Sequence, residues 1–159
     1  GTIYHYVNDE RVNIVLSEAG GHGWQTDYTA ATIHKGTTGI LHGAKMLVMQ
    51  NEDGQIQEAF TISAGLDYPG VGPMHCNMAK KGRTKVLSIN DDEAIYGGYE
   101  LTRMEGIIPA IESAHAIAAL KKLQFKKDDV VVLTASGRGD KDVETYLKNK
   151  AMAKEYGDF

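Results

Sequence analysis

Lys85-Val86-Leu87-Ser88-Ile89-Asn90-Asp91-Asp92-Glu93 is the stretch on which the fold class turns. Lys85 to Ile89 is a short β-rich run whose apolar positions are consecutive rather than alternate, the pattern of a strand covered on both faces in a parallel sheet. Asn90 follows as a residue able to cap a helix, and Glu93 stands three positions later, where a capping-box acid belongs. Asp91 and Asp92 add charge that favours the positive end of a helix. A buried strand thus passes directly into a helix that carries Ile95, Tyr99 and Leu101.

Two further runs have the same character, Asn13 to Ser17 and Asp129 to Thr134. A second helix is expected from about Ser113, with Ala116, Ile117 and Leu120 on one face and Lys121 and Lys122 at its negative end. With two helices between the second and third runs, the spacing suits a right-handed βαβ crossover and an α/β layer architecture. Met46 to Gln50 and Ile56 to Ser63 flank an Asp53-Gly54 turn and read as a hairpin. Residues 18 to 83 are rich in glycine, as in Gly20-Gly21-His22-Gly23, which suits loops that approach a ligand or another backbone.

Composition bounds the function. A chain of 159 residues can bury roughly two-thirds of its unfolded surface, and 42% apolar with 24% charged residues is ordinary for a globular protein. Seventeen basic against 21 acidic residues give a net charge of −4, which offers no footprint for nucleic acid or anionic lipid. No apolar run approaches the roughly 20 residues of a membrane span. The single Cys76 excludes an internal disulfide and fits a reducing compartment, so a cytoplasmic location is the expectation. The N-terminus lacks the features of a signal peptide and reads as a cut end.

Ser136-Gly137-Arg138-Gly139-Asp140-Lys141-Asp142 would lie between the third strand and a helix, where free N–H groups could meet an anionic or polar cofactor. An ordinary tight βα turn is the alternative. Arg138-Gly139-Asp140 is also the adhesion tripeptide, a coincidence in a segment placed beside a core strand. His22, His75 and His115 have no metal-ligand spacing. Glu112, after Gly106-Ile107-Ile108-Pro109-Ala110, stands at a helix start, where a carboxylate is ordinarily a dipole partner.

Several segments taken together resemble the tryptophan synthase β-chain family: His42-Gly43-Ala44-Lys45, Gln50 through Ile56, Ser63-Ala64-Gly65-Leu66-Asp67-Tyr68-Pro69, Val71-Gly72-Pro73, Glu105 through Ala116, and Ser136 through Asp142. The match is colinear and covers nearly the whole chain. It implies a Rossmann-like, three-layer α/β domain of the fold type II pyridoxal-phosphate enzymes, truncated on its N-terminal side, with residues 1 to 159 as a single α/β unit. It also implies a parent that joins L-serine and indole to give L-tryptophan and water, paired with an α subunit and a second β subunit.

The resemblance further assigns roles. Ser136 matches the serine whose hydroxyl meets the cofactor's pyridine nitrogen, with Gly137 beside it, and a neutral partner there leaves the ring a weaker electron sink. Glu112 would stand beside the ring on the side of its phenolic oxygen, and Gly65 would bring backbone close. Asp67 matches an aspartate that helps hold the closed state by a salt bridge to an arginine outside this chain. The carbonyls of Tyr68 and Gly70 match positions around a monovalent cation, sodium or potassium. Leu41 and His42 fall where family members often carry aromatic residues lining an indole channel, and here the sequence departs from the pattern.

The lysine that carries the cofactor, the loop that binds its phosphate and a glutamate acting on indole precede the matching region. Gly1-Thr2-Ile3 would begin immediately after that loop, in the helix it introduces. The expectation is therefore a piece of an enzyme that is inactive by itself. The alternatives are another pyridoxal-phosphate lyase, or a non-catalytic phosphate- or nucleotide-binding α/β module built on Ser136 to Asp140.

Overall fold

The computed structural model describes residues 2 to 156, apart from the side chains of residues 153 and 155. Gly1, on which the expected junction with a phosphate loop rests, lies outside the described residues. Just after it, Tyr4–Tyr6 forms a single 3-10 turn.

The first and second apolar runs are strands, β1 (Ile14–Gly21) and β5 (Thr84–Asn90), and they pair in parallel from Ile14 against Thr84 to Gly21 against Asn90. Asn90 then caps α3 (Asp91–Glu105) with both halves of the capping box in place, and Glu93 accepts the Asn90 N–H at 2.8 Å. After Gly106 ends α3 in the left-handed region, α4 (Ile111–Ala119) begins two residues earlier than the sequence pattern indicates and runs into a 3-10 turn, Leu120–Lys122. The α/β class and the parallel sheet stand as expected from the sequence.

The core lies where α3 and α4 meet the sheet. Ile89 of β5 packs with Ala94 of α3 and with Ala114, Ala118 and Ala119 of α4. Small residues allow the two helices to approach closely. A second cluster joins Ile95, Ile111 and Tyr146, the last from α5 (Val143–Lys148).

Two expectations are corrected. Residues 129 to 134 form no strand, and Val130 and Val132 are 91% and 84% exposed. Consecutive valines favour extended backbone, but a strand needs a paired neighbour, and among the described residues none pairs with this run. The parallel crossover therefore joins β1 to β5 rather than β5 to the third run.

The glycine-rich middle is more regular than its sequence implies. After α1 (Thr32–Lys35), β2 (Thr37–Leu41), β3 (Ala44–Val48) and β4 (Gly70–Val71) form an antiparallel sheet, followed by α2 (Pro73–Lys80). The hairpin turns at His42-Gly43, both in the left-handed region with φ of 49° and 75°, and not at Asp53-Gly54. The Asp53-Gly54 turn exists, but it joins only a single bridge, Gln50 to Ile56. Among the described residues no helix is long and apolar enough to cross a membrane.

Candidate functional site

The first turn of α4 is the point on which distant parts of the chain converge. Its N-cap is Ala110, whose side chain cannot cap, so the orphan N–H groups of the helix start need partners from elsewhere. Ile111 donates its N–H to Asp142 Oδ2 at 3.0 Å. Glu112 Oε1 accepts the N–H of Gly65 at 2.9 Å, and Glu112 Oε2 receives Lys141 Nζ at 3.1 Å. Lys141 also donates to Asp142 Oδ2 at 2.7 Å. Ser113 donates its hydroxyl to the Ser136 carbonyl, and the two serine Oγ atoms lie 3.4 Å apart.

Four residues assigned by the resemblance therefore meet here: Gly65, Glu112, Ser136 and Gly137. A Cβ at Gly65 would lie 2.5 Å from Glu112 Oε1, so a side chain there would push the Glu112 carboxylate off the Gly65 N–H. Gly65, Ser136 and Gly137 are exposed and Glu112 is half-buried. The half-buried carboxylate thus ties together two exposed segments, the turn that holds Gly65 and the one that runs from Ser136 to Asp142.

Electrostatics fix the charge states. Partial burial pushes the Glu112 carboxyl up, but its own backbone N–H, the Lys141 ammonium and the Gly65 N–H together outweigh this and hold it below the ordinary 4.5. Lys141 is raised above its ordinary 10.5, first by Asp142 and, against partial burial, by Glu112. A carboxyl whose folded pKa is depressed contributes stability that is complete above the unfolded value and is lost as pH falls through the folded one. Glu112→Gln is therefore expected to cost about 1–2 kcal/mol at pH 7. The gap to the parent should close as pH falls below 4.5, as read from urea midpoints at each pH; a gap constant down to pH 3 would refute the ionic role of Glu112.

The remaining assigned residues form a second group, joined to the first by residues 65 to 70. Asp67 is exposed beside a hollow of about 310 Å3 that is also lined by Ile56 to Ala59 and Pro69. The His42 ring lies parallel to that of Tyr68, with centroids 6.1 Å apart, and Leu41 Cδ2 sits 2.9 Å from where a Cβ on Gly70 would be. Leu41, His42, Tyr68 and Gly70 are thus neighbours, although the chain separates them by almost 30 positions.

Among the described residues, no group of three or more His, Cys, Asp or Glu could hold a metal ion. His22 packs against Phe60 with centroids 4.7 Å apart, and His115 is wholly buried in α4. In the adhesion-like tripeptide, Arg138 pairs with Asp140 at 3.1 Å and Gly139 is buried against Ile108. At the 3-10 turn Asp140–Asp142, which has no strand before it, the cations Arg138 and Lys141 are already engaged by Asp140 and Asp142.

Sequence reasoning gave Ser113, Lys141 and Asp142 no individual role, although Lys141 and Asp142 lie in the Ser136 to Asp142 stretch that it singled out. Each acts across 23 to 31 positions. What that stretch does not reveal is its partner: a helix start with no side-chain cap requires an acceptor brought from another part of the fold.

No protein-family model matches the chain. Curated relatives do. The tryptophan synthase beta chain of Phocaeicola vulgatus is 70% identical over 148 residues, which is 93% of this chain and 37% of that protein. The tryptophan synthase beta chain of Bacteroides fragilis is 69% identical over 147 residues, 92% of this chain and 38% of that one. The tryptophan synthase beta chain of Lacticaseibacillus casei is 51% identical over 154 residues, 96% and 38% respectively. The chain spans a little over a third of the length of the relatives it matches.

Proposed function

We propose that this chain, a segment of the tryptophan synthase β-chain family, supplies the ring-facing wall of a pyridoxal-phosphate site in a protein that joins indole to L-serine with loss of water. The observation that carries this reading is the convergence of Gly65, Glu112 and Ser136 on the first turn of α4. A planar heteroaromatic ring with a basic nitrogen can be received by an exposed face that carries a hydrogen-bonding group at its edge, and a hydroxyl is a neutral one. Exposed Ser136 and Gly65 provide that edge, and the charge of Glu112 is already met by Lys141 and the Gly65 N–H.

When bound, the cofactor would serve as the electron sink for the amino-acid substrate. Ser136 would meet the ring nitrogen through its neutral hydroxyl, with Gly137 beside it, and so would not hold that nitrogen protonated. Glu112, ionised at neutral pH by the contacts that lower its pKa, would accept hydrogen bonds on the phenolic-oxygen side of the ring. Asp67, exposed on its turn, would be free to form a salt bridge to an arginine elsewhere in the protein. Tyr68 and Gly70 would offer carbonyl oxygens to sodium or potassium, and Leu41 and His42 would stand on the indole path. An α subunit, a second β subunit and a cytoplasmic setting belong to the same reading.

Lys141 is the lysine at this cluster among the described residues. Its ammonium is held by two carboxylates and kept above its ordinary pKa, which disfavours the free amine that bonding to the cofactor needs. The 159 residues incubated with pyridoxal phosphate, L-serine and indole are expected to form no tryptophan above a cofactor-only blank. Exchanging this sequence for the matching segment of the Phocaeicola vulgatus beta chain should preserve tryptophan formation, and Ser136→Ala in that chimera should reduce it. Turnover by the 159 residues alone, or a chimera indifferent to Ser136, would contradict the proposal.

A further inference from the structure

Asp91 is wholly buried at the first position of α3, next to the Asn90 cap. Burying a carboxylate is costly unless hydrogen bonds and a favourable field compensate it. The N-terminal end of α3 supplies the field. The hydrogen bonds come from the loop before the site: Thr61 Oγ1 donates to Asp91 Oδ1 at 2.6 Å, and the Ile62 N–H donates to Asp91 Oδ2 at 3.1 Å.

The connection continues without a gap. The Ser63 N–H donates to Thr61 Oγ1 at 3.2 Å, and the Ser63 carbonyl accepts the N–H groups of Leu66 at 3.0 Å and Asp67 at 3.1 Å. Those bonds close the turn that presents the Gly65 N–H to Glu112. On its other side Asp91 faces α4, where wholly buried His115 puts Nε2 4.0 Å from Asp91 Oδ1 while its Nδ1–H donates to the Ile111 carbonyl at 2.8 Å. Asp91 therefore touches the loop and the helix whose mutual placement makes the site.

We propose that Asp91 is a positioning residue: through Thr61, Ile62 and Ser63 it sets the 63–67 turn so that Gly65 meets Glu112 and Asp67 is carried at the rim. Its catalytic consequence rests on the function proposed above, whereas its geometric consequence does not. A capping residue alone could not do this, because Asn90 and Glu93 already form the complete capping box of α3. The Asp91 carboxylate is spent instead on a loop 29 to 30 positions away.

The test is amide and side-chain carboxyl NMR on this chain with Asp91→Asn, which keeps the acceptor for Thr61 but sets an NH2 group against the Ile62 N–H. Asp92→Asn is the control, since Asp92 meets Tyr156 rather than the loop. In folded Asp91→Asn the amide signals of Gly65 and Asp67 should shift and the Glu112 titration should rise toward 4.5, with neither change in Asp92→Asn. If Asp91→Asn does not fold, Thr61→Val removes the same link from the loop side and should give the same shifts. In the beta-chain chimera, Asp91→Asn should lower kcat about tenfold with the KM for indole within about twofold.

A folded variant with Gly65, Asp67 and Glu112 unmoved overturns the proposal. So does loss of folding in both variants, which would make the group a core element and nothing more. A chimera inactive before any substitution would count against the function proposed above and leave the NMR result to decide this one.

Discussion

Tyr146→Ala is expected to lower the free energy of unfolding by about 3–5 kcal/mol, the range for removing a buried aromatic ring. Tyr146 is 5% exposed and packs with Ile95 and Ile111. Its ring occupies the space where Gly98 has no side chain: a Cβ on Gly98 would lie 2.3 Å from the Tyr146 hydroxyl oxygen. The hydroxyl donates to the Pro109 carbonyl at 3.0 Å, and the Tyr146 carbonyl accepts the Tyr99 hydroxyl at 3.0 Å. The ring thus fastens α5 to α3 and to the residues that lead into α4, so its loss opens a cavity under the site's own foundation. Tyr146→Phe keeps the ring and leaves the Pro109 carbonyl without its donor, so it should cost about 1 kcal/mol. Urea midpoints at pH 7 separate the two, and a Tyr146→Ala loss no larger than that of Tyr146→Phe would show that the cavity collapses without penalty.

Where the sequence was legible, the signal was local. Asn90 with Glu93 reads as a capping box because the two residues lie within one turn, and the structure forms both of its bonds. β1 and β5 read as covered strands because their apolar positions are contiguous; the two pair in parallel and Ile89 of β5 packs against α3 and α4, whereas Val15 of β1 stays exposed. Residues 129 to 134 show the limit of that reasoning, since β-branched side chains report a preference for extended backbone and not the presence of a neighbour.

The hairpin shows a competition between turns. Asn51-Glu52-Asp53-Gly54 has the stronger turn chemistry, and the Asn51 side chain does accept the N–H groups of Asp53 and Gln55 at 3.1 and 2.8 Å. Yet the longer ladder forms around His42-Gly43, where the first turn residue takes a positive φ, a region that histidine enters more readily than most non-glycine residues. Within the site, Ser136 to Asp142 stood out by composition alone, whereas Glu112 looked like a helix-dipole partner until resemblance placed it. Its bonds to Gly65 and Lys141 span 47 and 29 positions, a range over which spacing carries no information.

Gly139→Ala is the corresponding experiment on the other side of α4, with an expected loss of about 3 kcal/mol, the upper part of the range for overpacking. A Cβ at this position would lie 2.4 Å from the Pro109 carbonyl oxygen and 2.5 Å from that of Ile108. Both are backbone atoms, so no rotamer change can make room. Nor can the 136–142 turn simply withdraw, because the Gly139 N–H donates to the same Ile108 carbonyl at 3.0 Å. A retreat breaks that bond and carries Ser136 away from Ser113 and Asp142 away from the Ile111 N–H, which leaves the start of α4 uncapped. Gly137→Ala, two residues earlier, meets only the Ala110 side chain at 3.5 Å and pays for a left-handed φ of 76° alone, about 1 kcal/mol. Urea midpoints should therefore rank Gly139→Ala well below Gly137→Ala, and only the former should also narrow the pH-dependent gap produced by Glu112→Gln. The reverse order would mean that the turn is held by its own backbone conformation and not by its contact with the residues entering α4.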